Sequence, residues 1–161
     1  SKAEEKLAAL GLELPVAAAP VANYVGFTVS GRTVFISGQL PMKDGKPLVT
    51  GRLGAGVSVE DGYAAGRQCG LNILAHLKVA CGGDLDRVAR VLRLGGFVAC
   101  APEFTDAPMC VNGASDLMVA VFGDAGRHAR AAVGVASLPA EESVRLAAFN
   151  AGEVDAIVEL K

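Results

Sequence analysis

Between Ser58 and Gly83 the chain spells out one long amphipathic segment, and it limits the possible folds more than any other stretch. Tyr63, Gly66, Gly70, Ile73, Leu74, Leu77 and Cys81 recur near helical spacing. Such periodicity predicts a helix with one apolar face. Ser58-Val-Glu-Asp61 ahead of it resembles a capping box with Asp in place of Glu, and Gly82-Gly83 ends the run. A helix of this kind needs a second layer on which to bury its apolar face. Gly66 and Gly70, small residues one turn apart, would let a sheet approach its backbone closely.

Strands supply that layer. After a short connector from Asp84 to Arg87, Val88 to Ala101 reads as a long strand, with a bulge expected at Gly95-Gly96. Upstream, Tyr24 to Ser37 holds two β-type runs on either side of Ser30-Gly31, which predicts a hairpin. Asp44-Gly45 marks another turn, ahead of a short strand around Pro47 to Thr50. Downstream, a second helix fits from about Ser115 to Phe122, closed by Gly123. Ala131 to Ser137 reads as a strand ending at Leu138-Pro139, and Val144 to Phe149 suits either a strand or a helical turn. The last strand, Glu153 to Leu160, alternates Glu, Asp, Ile and Glu with Val, Ala, Val and Leu, a pattern suited to one buried face. At the start, Ser1 to Leu10 reads as a short helix stopped by Gly11, and Pro15 to Pro20 as an extended lead-in. Residues 1–20 thus introduce the body of a single domain spanning 1–161.

The order of these elements predicts an α+β sandwich, a mixed β-sheet with two main helices packed on one face. The opposite face must meet water or another subunit. Apolar residues make up 52% of the chain, which favours a subunit there.

Charge and cysteine spacing weigh against several function classes. The formal net charge is -2 and no Lys or Arg stripe is present, which argues against a nucleic-acid partner that depends on counterion release. A ribonuclease role finds equally little to work with, since the chain has only two His and no His-Lys-His arrangement. Cys69, Cys81, Cys100 and Cys110 form no C-x-x-C pair, so neither a metal site nor a dithiol redox pair is expected. They read instead as reduced, buried thiols of a cytoplasmic protein, with no leader pattern and no membrane-length apolar run beside them. Gly51-Arg-Leu-Gly54-Ala-Gly56 lacks the spacing and the Lys of a phosphate cradle, and no cofactor is expected.

Four segments in order carry a family resemblance. They are Tyr24 with Val34-Phe35-Ile36-Ser37-Gly38-Gln39-Leu40-Pro41; Asn72 on the long helix; Gly126-Arg127-His128-Ala129-Arg130-Ala131-Ala132-Val133 ahead of Leu138-Pro139; and Glu153-Val-Asp-Ala-Ile157. Their order and spacing resemble the RidA/YjgF family, and the likeness spans Tyr24 to Lys161. The Gly-Arg-His-Ala-Arg wording, with Asn112-Gly113-Ala114-Ser115-Asp116 before it, is similar to a divergent branch.

That resemblance implies a chorismate mutase-like fold and a homotrimer built around a β core, with three clefts each lined by two neighbouring subunits. It implies hydrolysis of reactive 2-imino or enamino acids to 2-keto acids and ammonia. Arg130 would grip the substrate carboxylate and Glu153 would position the attacking water. Tyr24, Ser37, Gly38 and Asn112 would line the cleft, and the backbones of Ala131 and Ala132 would help hold the substrate. Many members carry Cys where this chain has Ala132, so thiol chemistry is not implied here. The interval from Leu138-Pro139 to Glu153 is also longer than the family's usual one.

The residue types suit that chemistry. A guanidinium offers two parallel donors to a carboxylate, a geometry Lys lacks. A carboxylate can take the proton of an attacking water. The alternative is a trimer that binds small 2-keto acids or related carboxylates without turnover. Read on their own, Arg130 would be a surface or ion-paired residue, Asn112 a helix cap, Glu153 a solvated strand residue, and His76 and His128 structural histidines.

Overall fold

The computed structural model describes residues 1–20, 22–138 and 151–161; the strand or turn expected at Val144 to Phe149 lies outside them. Three α-helices are present, α1 (Lys2–Ala9), α2 (Val59–Ala80) and α3 (Ala107–Phe122). The main sheet has five strands, β1 (Phe27–Ser30), β2 (Thr33–Gln39), β7 (Val88–Ala99), β8 (Ala129–Val135) and β9 (Gly152–Leu160), ordered β1-β2-β9-β7-β8. Two small ribbons, β3 (Met42–Lys43) with β4 (Lys46–Pro47) and β5 (Arg52–Leu53) with β6 (Gly56–Val57), join β2 to α2. Only β7 and β8 of the main sheet run parallel, and α3 makes the crossover between them. This is the α+β arrangement expected, with a mixed sheet.

Local chemistry explains most of these elements. Gly31 at φ 59° closes the β1–β2 hairpin, and Asp44 and Gly45, both at positive φ, close β3–β4 as an Asp-Gly turn should. The Ser58 hydroxyl accepts from the Asp61 N–H at 3.1 Å and caps α2. On β9 the alternation holds, with Val154, Ala156, Val158 and Leu160 buried and the residues between them partly exposed. Those four pack with Val34, Val91, Leu94, Ile73, Leu74 and Leu77 into one core between sheet and helices.

Several expectations are corrected. The Gly95-Gly96 pair is no bulge, since both residues keep regular register with β9 and β8. The irregularities lie earlier on β7, between Val88 and Arg90 and between Val91 and Arg93. Each glycine instead makes room on one face. A Cβ on Gly96 would collide with Val111 of α3, and one on Gly95 would stand 2.5 Å from Asp155 Oδ1 and 2.9 Å from Arg93 Nη1. Gly66 and Gly70 admit α3 rather than the sheet, for a Cβ on Gly66 would strike the Cys110 carbonyl. From the other side, Gly113 lies against Tyr63. The second helix starts at Ala107, with Pro108 in its first turn, so Asn112 is interior to it and caps nothing. The strand placed at Pro47 to Thr50 is only Lys46–Pro47.

All four cysteines are free and buried. Among the described residues no helix is long and apolar enough to cross a membrane, and no three His, Cys, Asp or Glu side chains gather into a metal site.

Helix α1 packs on α3 through Ala3 and Leu7, and its first N–H donors find a carboxylate. The N–H groups of Lys2 and Ala3 donate to Asp86 Oδ2 and Oδ1 at 2.8 and 3.1 Å. These two bonds hold the Asp86 carboxyl below the usual carboxylate range. A group lowered in this way stabilises fully above its ordinary pKa, and the contribution fades as pH falls through the lowered value. Asp86→Ala is therefore expected to speed amide exchange in α1 at neutral pH and to abolish the extra opening that acid causes in the native chain. Identical exchange profiles in the two proteins would contradict this account.

Candidate functional site

Arg130 lies on β8, the outer strand of the sheet, opposite Leu94 of β7. Its Nη1 donates to Asn112 Oδ1 at 2.6 Å and to Ser115 Oγ at 3.2 Å, both on α3 and one turn apart. Neither partner is charged. Among the described residues no carboxylate pairs with Arg130, although Arg32, Arg93 and Arg127 each meet one. The side chain is exposed, and Nε and Nη2 have no hydrogen bond among the described residues. A guanidinium anchored by one nitrogen and open at the other two suits a two-oxygen anion.

Behind Ser115 stands His128. Its Nε2 lies 2.8 Å from Ser115 Oγ and its Nδ1 2.6 Å from the Gly126 carbonyl. Neither residue was singled out from the sequence as an Arg130 partner. The available signal was the polar pair Asn112 and Ser115 at i and i+3 on a helix whose one other polar side chain is Asp116.

Glu153 sits on β9 opposite Phe97. It is half-buried, and burial, with a smaller push from Asp155, raises its pKa. No described side chain is ion-paired or hydrogen-bonded to its carboxylate. Gly38 lies directly beneath, so that any Cβ there would collide with Glu153 Oε1.

At the other side of the sheet, Ser37 Oγ donates to the Val25 carbonyl at 2.6 Å. Tyr24 and Gly38 border a groove of about 220 Å³ closed on one side by the Pro15-to-Pro20 lead-in. Asn72 shapes its floor, donating from Nδ2 to the carbonyls of Leu40 and Met42 at 2.9 and 3.0 Å. His76 also lines the groove and is buried, and desolvation lowers its pKa.

Residues 4–151 match the family model described as "YjgF/chorismate_mutase-like, putative endoribonuclease". The chain belongs to the RidA/YjgF family. The Trypanosoma cruzi protein TCP17 is 49% identical over 152 residues, covering 94% of this chain and 89% of that one. The structure of Atu1372 from Agrobacterium tumefaciens is 50% identical, with a TM-score of 0.88, and covers 99% of this chain and 93% of its own. Escherichia coli TdcF, solved with bound serine, shares the fold at 21% identity and a TM-score of 0.59, covering 90% and 94% of the two chains.

Within this RidA/YjgF chain, the residues singled out from the sequence fall into separate groups. Arg130 meets Asn112, and Gly38 meets Glu153. Ala131 and Ala132 follow Arg130 on the outer strand, opposite Gly95 and Gly96. Arg130 and Glu153 are not brought together in one subunit. Their β7 partners, Leu94 and Phe97, are three residues apart in regular register, so the two side chains leave opposite faces of the sheet.

Proposed function

We propose that the chain is a 2-imino acid deaminase that works as a homotrimer, with Arg130 of one subunit and Glu153 of a neighbour acting on one substrate. The observation that carries this reading is the Arg130 guanidinium, exposed, unpaired with any described carboxylate, and held by two neutral oxygens. The substrate carboxylate takes the open edge of the guanidinium. Water then adds to the imine carbon and passes its proton to Glu153, whose raised pKa suits a proton acceptor. Glu153 returns that proton to the nitrogen and then relays the proton of the new hydroxyl, so that as the C–N bond breaks and the C=O bond forms the nitrogen leaves as ammonia, and a 2-keto acid remains. The N–H groups of Ala131 and Ala132 point to opposite edges of β8, so the one turned from β7 adds a donor on the outer strand, and Tyr24, Ser37 and Gly38 shape the wall of the cleft.

A second copy answers two needs at once. It places an acid opposite Arg130 that the same sheet keeps away, and it covers Phe35, Ile157, Phe97 and Val133, which share the sheet face turned from the helices. TdcF, which has this fold, binds serine, a small molecule with the required carboxylate. The buried, free cysteines suit a reducing cytoplasmic setting.

The test is to add the protein to freshly generated 2-aminoacrylate and follow pyruvate and ammonia. Faster release than in the uncatalysed reaction supports the proposal. Saturable binding of pyruvate with no turnover of several imino acids would replace it with the binding-only reading.

Gly38 gives a sharper test of the role of Glu153. In Gly38→Ala the new methyl meets the free end of a flexible side chain, so stability should change by only roughly 1 kcal/mol. The carboxylate, however, must move by an ångström or so, a displacement that can cost roughly 100-fold in rate. Turnover and thermal melting measured side by side check both halves, and unchanged turnover would remove Glu153 from the reaction.

A further inference from the structure

We infer that Ser115 and His128 are positioning residues for Arg130, forming with the Gly126 carbonyl a hydrogen-bond chain that presents the open edge of the guanidinium. The inference rests on the reading of Arg130 as a carboxylate clamp. It goes beyond that reading by naming what holds the clamp still.

The roles in the chain follow from what each group can do. The Gly126 carbonyl only accepts, so His128 Nδ1 carries the proton across 2.6 Å. A guanidinium only donates, so Ser115 Oγ accepts from Arg130 at 3.2 Å. That leaves the Ser115 hydroxyl proton free to point at His128 Nε2, 2.8 Å away. In the Nδ1–H tautomer every atom has one role and none conflicts. The tautomer is set by a backbone carbonyl, which cannot rotate away, so the arrangement is anchored at one end by the main chain.

Geometry gives the chain its purpose. Asn112 and Ser115 both bond the same nitrogen, Nη1. With Asn112 alone, the guanidinium could swivel about one bond, and the Nε and Nη2 edge would sweep through solvent. A second acceptor one helical turn along α3 stops the swivel. His128 stops Ser115 from turning its oxygen elsewhere, because the hydroxyl proton is committed to Nε2. A carboxylate then meets a fork that is already ordered. Ordering one long side chain on binding costs about tenfold in affinity, and this chain avoids it.

The experiment combines calorimetric titration of pyruvate with 15N spectra of the Arg130 side chain and of the two imidazoles, on the full protein. Only two histidines are present, so His128→Gln also assigns the His76 signals. Ser115→Ala and His128→Leu are expected to weaken pyruvate binding about tenfold and to average the Arg130 Nη signals into one. Ser115→Thr and His128→Gln keep an acceptor or hydroxyl in place and should restore both readouts. In the native protein, His128 should show a protonated Nδ1 and a bare Nε2. If native protein does not bind pyruvate, the clamp reading fails, while the Nη spectra still decide the chain. Arg130 signals unaltered by Ser115→Ala and by His128→Leu would overturn the inference, even where Arg130→Ala abolishes binding.

Discussion

Arg130→Ala is expected to weaken pyruvate binding by roughly 100-fold or more and to lower turnover of 2-aminoacrylate at least as much. Two charge-assisted hydrogen bonds from a guanidinium to a carboxylate are each worth about 1.5–3 kcal/mol, and the substitution removes both. Stability should scarcely move. The side chain is exposed, and its loss frees only Asn112 and Ser115, which can turn to water. Arg130→Lys keeps the charge without the fork and should recover only part of the affinity. Calorimetry on the three proteins distinguishes these cases, and native affinity in Arg130→Ala would end the carboxylate-clamp reading.

The largest loss of stability is expected from Gly113→Ala. A methyl there would run into the Tyr63 carbonyl and stand 2.7 Å from the Arg67 nitrogen, both backbone atoms of α2. Neither can rotate aside as the Glu153 carboxylate can beneath Gly38. Relief requires α2 and α3 to part, and Ala114, Leu117 and Met118 would lose their packing on Ile73 and Leu74. Overpacking usually costs about 1–3 kcal/mol, and a backbone-to-backbone clash belongs at or beyond the upper end. For a chain of this size that is a fall in melting temperature of roughly 10 °C. Thermal denaturation checks it, and a fall of less than about 2 °C would show that the helices separate freely.

The contrast between these two glycines bears on what could be read from the chain beforehand. The alternation of β9, the capped start of α2 and the Asp44-Gly45 turn are local signals, and local chemistry decides them. Gly66, Gly70, Gly95 and Gly96 announced close approach or a bulge, but which of these, and against what, depends on residues far away in sequence. Val111 and Cys110 supply the answer for two of them. The early turns of α3 escaped notice because Asp106 offers no side-chain cap and Ser115 imitates one. Arg130 and Glu153 stood out through family wording, whereas their placement on opposite faces needed the register of β7. Ser115 reaches Arg130 across 15 residues, a pairing that no periodicity encodes.

The position of β8 has an evolutionary consequence. It is an outer strand, and its side chains contribute little to the core of the subunit. Changes at Arg130, Ala131 or Ala132 therefore test new ligands at small risk to folding. Selection can retune what this scaffold recognises, residue by residue, while β7, β9 and the glycine-lined helix crossing keep the framework unchanged.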